Sequence, residues 1–217
     1  MNTLQETNLK VDLHRFDDQI RKLELLLKRN PPEKGEILLY GSSTMGNWRE
    51  NDMCYKQLAP LPIHNTGFGG STSEDALYQY HKLVVPYAPS VMAYYEGAND
   101  LMNGYTPEEV LAITHRLFEW CRQDFPGIKF VIVPIKLSPG ILHIKEPGDI
   151  CNRMFAEYAD KYDDTSIIDV TPLLFDGQGE HRQDIYVEDL LHHNEAGYIE
   201  LAAILKPELE RAYYVNR

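Results

Sequence analysis

The sequence predicts an α/β fold in which helices cover both faces of a parallel sheet. Five apolar segments of strand length alternate along the chain with segments of helical periodicity, and this alternation is typical of βαβ units. The apolar segments are continuous and do not alternate with polar residues, which indicates strands that are buried on both faces. For five such strands we expect a three-layer α/β/α arrangement with the flavodoxin-like order 2-1-3-4-5.

A first helix is predicted at about residues 11–29, because the prolines at 31 and 32 end it. Its apolar residues recur every three or four positions, as one face of an amphipathic helix requires. These residues are Leu13, Phe16, Ile20, Leu23 and Leu27.

Five segments have the length and apolar content of strands, and turn-forming residues bound most of them. The predicted strands are residues 37–40, 61–64, 91–95, 129–135 and 166–170. The fourth is the most regular, since it is rich in β-branched residues.

Two of the connecting helices are predicted from their start signals. We expect Ser73 to cap a helix that runs through Leu83. Thr106, followed by a proline and two glutamates, predicts the start of a helix that runs to about Asp124.

The last third of the chain adds two more helices. Residues 149–162 have helical periodicity, and Asn194 is expected to cap a final helix through Leu205. Residues 138–147 form an irregular stretch after the fourth strand. Because we find no linker, repeat or low-complexity segment, we expect a single domain over residues 1–217.

Composition disfavours several classes of function. The formal net charge of -12 disfavours a nucleic-acid partner, because phosphate binding relies on clustered lysine and arginine. The three cysteines are far apart and form no Cys/His cluster, so we expect reduced thiols, no disulfide framework and no metal site. No signal-peptide core or membrane-length apolar run is recognisable. We therefore expect a cytoplasmic protein without a membrane span.

Two distant segments carry the parts of a nucleophilic site. The first predicted strand runs into Gly41-Ser42-Ser43, and Asp189 precedes His192 by three residues. A serine hydroxyl becomes a good nucleophile when a histidine removes its proton and a carboxylate fixes the histidine tautomer. An aspartate and a histidine on one short turn can meet without help from the rest of the fold. We therefore expect a Ser-His-Asp site, although a lone serine here would be an ordinary turn residue.

Two further segments follow predicted strands, at the sheet edge where ligands bind in such folds. They are the glycine-rich residues 67–70 and the pair Asn99-Asp100, and each is an ordinary turn when taken alone. Thr72 stands where a dinucleotide-binding GxGxxG motif needs its third glycine. An α/β-hydrolase nucleophile elbow would need a glycine in place of Met45.

Taken in order, four blocks of the chain resemble the SGNH hydrolases, also called the GDSL family. The blocks are Tyr40-Gly41-Ser42-Ser43-Thr44, residues 65–71, Gly97-Ala98-Asn99-Asp100 and residues 189–192. The resemblance covers about residues 36–205, and four ordered blocks are far more specific than any one of them. Ser42 replaces the aspartate of the family's Gly-Asp-Ser motif, which bears on the rigidity of this loop, while the nucleophile is retained.

The resemblance implies the SGNH hydrolase fold and a serine-dependent esterase or acylhydrolase that acts on short acyl esters without a cofactor. It implies that Ser43 is the nucleophile, His192 its general base and Asp189 the partner of the histidine. The implied oxyanion hole consists of the backbone N–H groups of Ser43 and Gly70 and the side-chain amide of Asn99.

Apolar residues beside these positions are candidates for a rim around the substrate, although they could equally belong to the core. They are Met45, Trp48, Leu101, Tyr105 and Leu191. We also expect the stretch at 138–147 to shape a subsite, together with the loop after Asp100.

Two other functions are consistent with the same sequence. A non-catalytic ligand-binding module could keep the fold and lose the chemistry, although the intact predicted catalytic residues argue against it. A scaffold could use the helix at about 11–29 as a partner surface, although packing of that helix on its own sheet is the simpler interpretation. The expected partner is a small-molecule acyl ester, and a homodimer through another surface stays open.

Overall fold

The computed structural model describes residues 10–29 and 31–214. Within them, the strands are β1 (Ile37–Gly41), β2 (Ile63–Asn65), β3 (Val91–Tyr95), β4 (Lys129–Ile132) and β5 (Thr165–Ile167). They form one parallel sheet in the order β2-β1-β3-β4-β5. The predicted α/β class and the 2-1-3-4-5 order are therefore confirmed.

Helices follow most of the strands and cover the sheet. In the described part of the chain they are α1 (Asp17–Arg29), α2 (Ser43–Trp48), α3 (Met53–Gln57), α4 (Ser73–Tyr78), α5 (Tyr80–Leu83), α6 (Ala98–Met102), α7 (Pro107–Asp124), α8 (Lys145–Lys161), α9 (Thr171–Leu174) and α10 (Glu195–Tyr214). Short 3-10 turns lie at Glu50–Asp52, Val85–Tyr87 and Pro139–Ile144. Across the described ranges, no helix combines the length and apolar content that a membrane crossing needs.

Two hydrophobic cores, one on each face of the sheet, account for the three layers. Successive residues of a strand point to opposite faces, so Leu38 packs in the core with α1, α4, α5, α7 and α8. Its neighbours Ile37 and Leu39 pack in the other core, with α2, α3 and α10. All five residues of β1 are buried, as expected for a central strand.

The first helix begins at Asp17 and is shorter than predicted. Asp12 accepts a hydrogen bond from the backbone N–H of His14 at 2.9 Å, and such side-chain contacts compete with helix formation. Leu13 and Phe16 are still buried, which explains why they fit the helical pattern. Ile20 and Leu23 of α1 are also buried in the core of this chain, while Leu25 and Leu26 are each 48% exposed. The helix therefore packs on its own domain, as the simpler interpretation expected.

The fourth strand ends at Ile132, three residues earlier than predicted, although the apolar run to Ile135 stays buried. Pro134 has no backbone N–H to donate to a neighbouring strand. The amide of Asn152 pairs instead with the backbone of Ile135, at 2.8 Å and 2.9 Å. Because Asn152 lies on α8, the apolar pattern of residues 129–135 could not predict this contact. The second and fifth strands also differ from the prediction, by one to three residues at their ends.

Thr72, not Ser73, caps the helix after the glycine-rich loop. The Thr72 hydroxyl accepts a hydrogen bond from the N–H of Asp75, whose carboxylate accepts one from the N–H of Thr72. These two bonds form a capping box. Ser73 instead donates its N–H to Asp100 in α6. The predicted helix is also divided at Gln79 into α4 and α5.

The predicted caps at Thr106 and Asn194 are confirmed, and the last helix is longer than expected. Thr106 forms a capping box with Glu109, and Asn194 Oδ1 accepts the N–H of Gly197 at 3.0 Å. The last helix continues past Pro207 to Tyr214 because its C-terminal part also packs against the sheet core.

Part of the stretch predicted to be irregular is ordered helix. Residues 139–144 form a 3-10 turn, and α8 begins at Lys145, four residues earlier than predicted. Pro147 lies in the first turn of α8, where the missing N–H costs no intrahelical hydrogen bond.

Candidate active site

The four predicted site segments meet at the carboxyl end of the sheet. Ser43 follows β1, Gly70 lies in the loop after β2, and Asn99 follows β3. His192 lies two residues before the capping residue of α10. Ligands of doubly wound sheets bind at this edge.

A tight turn brings Ser43 out of the sheet. The N–H of Ser42 donates to the carbonyl oxygen of Tyr95 at 3.0 Å, and the Ser42 carbonyl accepts the N–H groups of Met45 and Gly46 in α2. Ser43 is the first residue of α2, so its own N–H has no intrahelical acceptor and forms part of the positive end of the helix dipole. Ser42, which departs from the family motif, is buried and its hydroxyl caps nothing.

Two glycines permit this turn because the backbone segments approach closely. Gly41 has a φ of +131°, and a Cβ there would lie 2.0 Å from the carbonyl oxygen of Tyr95. A Cβ on Gly67 would lie 2.5 Å from Cβ of Met45. The glycine-rich loop therefore packs directly against α2, beside Ser43.

Ser43, His192 and Asp189 form a continuous hydrogen-bonded relay. The Ser43 Oγ to His192 Nε2 distance is 2.9 Å, and His192 Nδ1 lies 2.6 Å from Asp189 Oδ2. A carboxylate at Nδ1 favours the tautomer that carries its proton there, which leaves Nε2 free to accept the serine proton. The histidine side chain is 29% exposed, so this arrangement is open to a ligand from solvent.

The loop at 189–192, called the acid loop below, holds Asp189 in its ionised form. Its Oδ1 accepts hydrogen bonds from the backbone N–H groups of Leu191 at 2.8 Å and His192 at 2.9 Å. Partial burial by itself would raise the pKa of Asp189, but the hydrogen bonds from the imidazole and these N–H groups lower it to about 2. The carboxylate is therefore charged at neutral pH and can stabilise an imidazolium.

The predicted oxyanion residues are held by a second set of contacts. Asn99 Nδ2 donates to the carbonyl oxygen of Ser71 at 2.8 Å, which uses one of its two amide hydrogens. Asp100 accepts the N–H groups of Ser73 at 2.9 Å and Gly97 at 3.1 Å. These bonds tie the start of α4 to the start of α6. Gly70, in the loop before α4, is exposed and has a φ of +85°.

Four of the five predicted rim residues lie in the core and leave no side chain for a substrate. Trp48 is fully buried, stacks on Tyr198 and donates its Nε1–H to Gln57 at 2.7 Å. Such buried faces of short helices are indistinguishable in sequence from an apolar rim. The other three are Met45, Leu101 and Tyr105. Leu191 is half-buried beside the histidine.

The 3-10 turn at 139–144 packs against the acid loop. Gly140 donates its N–H to the carbonyl oxygen of Leu190 at 3.0 Å, and a Cβ on Gly140 would lie 2.5 Å from the carbonyl oxygen of Asp189. The turn also contacts α6. Leu142 on this turn and Met102 on α6 are exposed apolar side chains.

Lys136 is a neighbour of the site that motif comparison missed. Its side chain is buried, and its ammonium lies 3.5 Å from the carbonyl oxygen of Leu191 and within 6 Å of the ring centres of Tyr95 and Tyr186. Burial lowers the pKa of Lys136 to about 7, although the negative charge of Asp189 acts in the opposite direction and raises it. The only signal in the sequence is a lysine directly after an apolar run.

Comparison with known protein families gives a match over most of the chain. The sequence model of the GDSL-like lipase/acylhydrolase family matches residues 39–198. No match is found among curated protein sequences.

Several solved structures share the fold. A Streptococcus pneumoniae protein provisionally called a platelet activating factor has a TM-score of 0.75 at 20% identity, over 91% of this chain and 94% of its own. A GDSL-like lipase from Bacteroides thetaiotaomicron has a TM-score of 0.70 at 18% identity, over 94% and 100%. A variant of an acetyl-xylooligosaccharide esterase from Geobacillus has a TM-score of 0.65 at 17% identity, over 82% and 96%. The predicted fold is confirmed.

Proposed function

Because the chain belongs to the GDSL-like lipase/acylhydrolase family, we propose that it is a serine-dependent carboxylic ester hydrolase. The observation that carries this proposal is the relay of 2.9 Å and 2.6 Å from the Ser43 hydroxyl through His192 to Asp189. A relay of this geometry has the nucleophile, base and orienting acid that acyl transfer requires.

The reaction proceeds in two halves. Ser43 Oγ attacks the ester carbonyl carbon while His192 Nε2 takes the hydroxyl proton, and the imidazolium then gives that proton to the leaving alcohol. Water attacks the acyl-serine with the same histidine as base, which releases the carboxylic acid and restores the hydroxyl. Asp189, ionised throughout, stabilises the imidazolium of each half-reaction.

Three donors would stabilise the oxyanion of both tetrahedral intermediates. They are the helix-terminal N–H of Ser43, the N–H of Gly70 and the second amide hydrogen of Asn99, whose first is held by Ser71. Loss of one such donor typically costs about 3–4 kcal/mol of transition-state stabilisation. The Asn99 contact supports this role because it fixes the orientation of the amide before substrate binds.

The proposed substrates are esters of short acyl groups. The burial of Met45, Trp48, Leu101 and Tyr105 supports this choice, because these side chains are not available to line a long apolar channel. The name of the structurally similar Geobacillus protein, an acetyl-xylooligosaccharide esterase, agrees with a small acyl group. A cytoplasmic location and a homodimer stay predictions from the sequence.

Labelling with a fluorophosphonate tests the proposed function directly, because the reagent phosphonylates only an activated nucleophile and releases fluoride. We expect intact mass spectrometry to find one adduct per chain, on Ser43. Ser43→Ala removes the adduct, whereas Ser42→Ala, the matched control at the neighbouring serine, retains it. A folded wild-type protein that stays unlabelled, or an adduct that survives Ser43→Ala, would refute the proposal and favour a non-catalytic binding module.

The exposed turn at 139–144 is proposed to contact the acyl group through Leu142. Replacing Leu142 with serine is expected to lower the ratio of kcat/KM for butyrate over acetate esters by about threefold or more, since each buried methylene contributes about 0.8 kcal/mol. Leu25→Ser on α1 is the control, because this leucine is also exposed but lies on a different element. An equal ratio in the two variants would contradict the subsite.

A further inference from the structure

Ser71 stands between the buried carboxyl of Glu96 and the amide of Asn99. The Ser71 Oγ lies 2.6 Å from Glu96 Oε1 and 3.0 Å from the carbonyl oxygen of Phe68. The carbonyl oxygen of the same serine accepts the Asn99 amide at 2.8 Å. Glu96 is 1% exposed, and within the described part of the chain the nearby Arg15 pairs with Asp75 and not with Glu96. One serine thus connects a carboxyl outside the relay with the proposed oxyanion residues.

The two contacts of the Ser71 hydroxyl are best satisfied by a proton on Glu96. A serine hydroxyl has one proton, so it donates either to the carbonyl oxygen of Phe68 or to Glu96, but not to both. When Oε1 of Glu96 carries a proton, Glu96 donates to Ser71 and Ser71 donates to Phe68. When Glu96 is ionised, one of these contacts is lost.

The second carboxyl oxygen points to the same protonation state. Oε2 of Glu96 is buried and has no hydrogen-bond partner among the described residues. A charged oxygen in that position would be far more costly than the carbonyl oxygen of a neutral carboxyl. The proton therefore belongs on Oε1, which faces Ser71.

The surroundings of Glu96 reinforce its neutral form. Burial is the largest cause that raises the pKa of Glu96 well above its ordinary value, and the negative charge of Asp100 is the next. The hydrogen bond with Ser71 lowers the pKa but does not offset these two effects. The charged or titratable groups that face Glu96 come from β1, from β3 directly before it, from α4 and α6 and from the segment before α1. They are Tyr40, Tyr94, Tyr95, Asp75, Asp100 and Arg15.

We propose that Glu96 is a positioning residue that donates a hydrogen bond to Ser71 and so holds both the loop at 68–71 and the Asn99 amide in the geometry of the oxyanion hole. The proposal rests on the proposed esterase function of the same site. Glu96 touches no reacting atom and acts only through Ser71. As pH rises through the folded-state pKa of Glu96, the carboxyl ionises, the hydroxyl turns from Phe68 to Glu96, and kcat falls.

Kinetics of three variants test the effect on the site. Glu96→Leu, which cannot bind Ser71, is expected to lower kcat for p-nitrophenyl acetate about ten- to a hundredfold, with KM changed far less. Glu96→Gln keeps a donor that cannot ionise, so it restores most of kcat and removes the alkaline decline of the wild type. Thr114→Val, the control, removes a buried hydroxyl on α7, outside the loop at 68–71, and leaves kcat unchanged.

A double-mutant cycle then separates positioning from general damage. In an Asn99→Ala background, Glu96→Leu is expected to cost less than about threefold, because its effect passes through Asn99 and coupled residues are not additive. Full additivity, or a Glu96→Gln profile that keeps the alkaline decline, would overturn the proposal. If Glu96→Leu does not fold, Ser71→Ala takes its place in the cycle, because it removes the same contact between the Ser71 hydroxyl and Glu96.

A measurement without substrate distinguishes failure of this proposal from failure of the esterase function. The raised pKa means that the folded wild type keeps a proton that the unfolded chain releases. Its unfolding free energy must therefore fall, relative to Glu96→Gln, as pH rises from the ordinary glutamate pKa of about 4.3 to the folded-state pKa of Glu96. Urea unfolding of both proteins measures this difference. If the difference in unfolding free energy between the two proteins does not depend on pH, Glu96 is ionised in the folded protein and the proposal is wrong, whatever the esterase activity.

Discussion

His192→Ala is expected to lower kcat for p-nitrophenyl acetate by about a thousandfold or more, and Ser43→Ala by a similar factor. The hydroxyl and Nε2 are in contact at 2.9 Å and depend on each other. Without the histidine the serine keeps its proton and is a poor nucleophile, and without the serine the histidine has no hydroxyl to activate. The double variant should be no worse than either single one, because the two side chains act as a unit. Steady-state hydrolysis of the ester measures all three.

Residual activity should come only from the oxyanion donors and substrate binding, which these substitutions leave in place. His14→Ala is the matched control, because this histidine is mostly exposed and lies before α1, outside the relay. It should hydrolyse the ester at the wild-type rate. Wild-type turnover that persists in both Ser43→Ala and His192→Ala would show that hydrolysis does not use the relay, and the proposed mechanism would fall.

Gly41→Ala is expected to destabilise the fold by about 3–5 kcal/mol, near the upper end for single substitutions. The added Cβ would lie 2.0 Å from the carbonyl oxygen of Tyr95, which is rigid backbone in the adjacent central strand. The same oxygen accepts the N–H of Ser42, so a shift that relieves the clash also breaks the turn before Ser43. The midpoint of urea unfolding, with the slope held in common, gives the change in free energy.

The control for this experiment is Gly127→Ala. Gly127 also has a positive φ, +89°, but an added Cβ there meets no atom within 4 Å. Alanine at this position has only the backbone strain to overcome, which is about 1–2 kcal/mol. Similar losses in the two variants would mean that the clash with Tyr95 is relieved at little cost, contrary to our expectation.

Local pattern was sufficient for most of the fold. β1 and β3 were predicted to within one residue because continuous apolar runs are typical of central parallel strands. Thr106 was recognised as a cap because its capping box is complete within four residues. The end of β4 was missed because the partner of Ile135 is Asn152, on another element. The start of α1 at Asp17 was not predicted because the side chain of Asp12 accepts the N–H of His14 in the turn before the helix.

The site divides in the same way. The residues proposed for chemistry were found from four short blocks, and the contact of Asp189 with His192 spans only three residues. Trp48 was a candidate for the rim, and only its packing against Tyr198 places it in the core. No pattern in the sequence pointed to Glu96 as part of the site. A glutamate after an apolar strand is normally exposed, and only the structure shows that this one is buried.

By itself, the sequence determined the order of strands and helices, the parallel sheet and the identity of the candidate nucleophile, base and acid. These depend on periodicity and on residues close together in the chain. Only the tertiary structure decided that the hydroxyl and the imidazole, 149 residues apart, lie within one hydrogen bond. It also decided which apolar side chains are core and which carboxyl lacks solvent. Distances and dielectric surroundings are set by segments far apart in sequence, so no local pattern contains them.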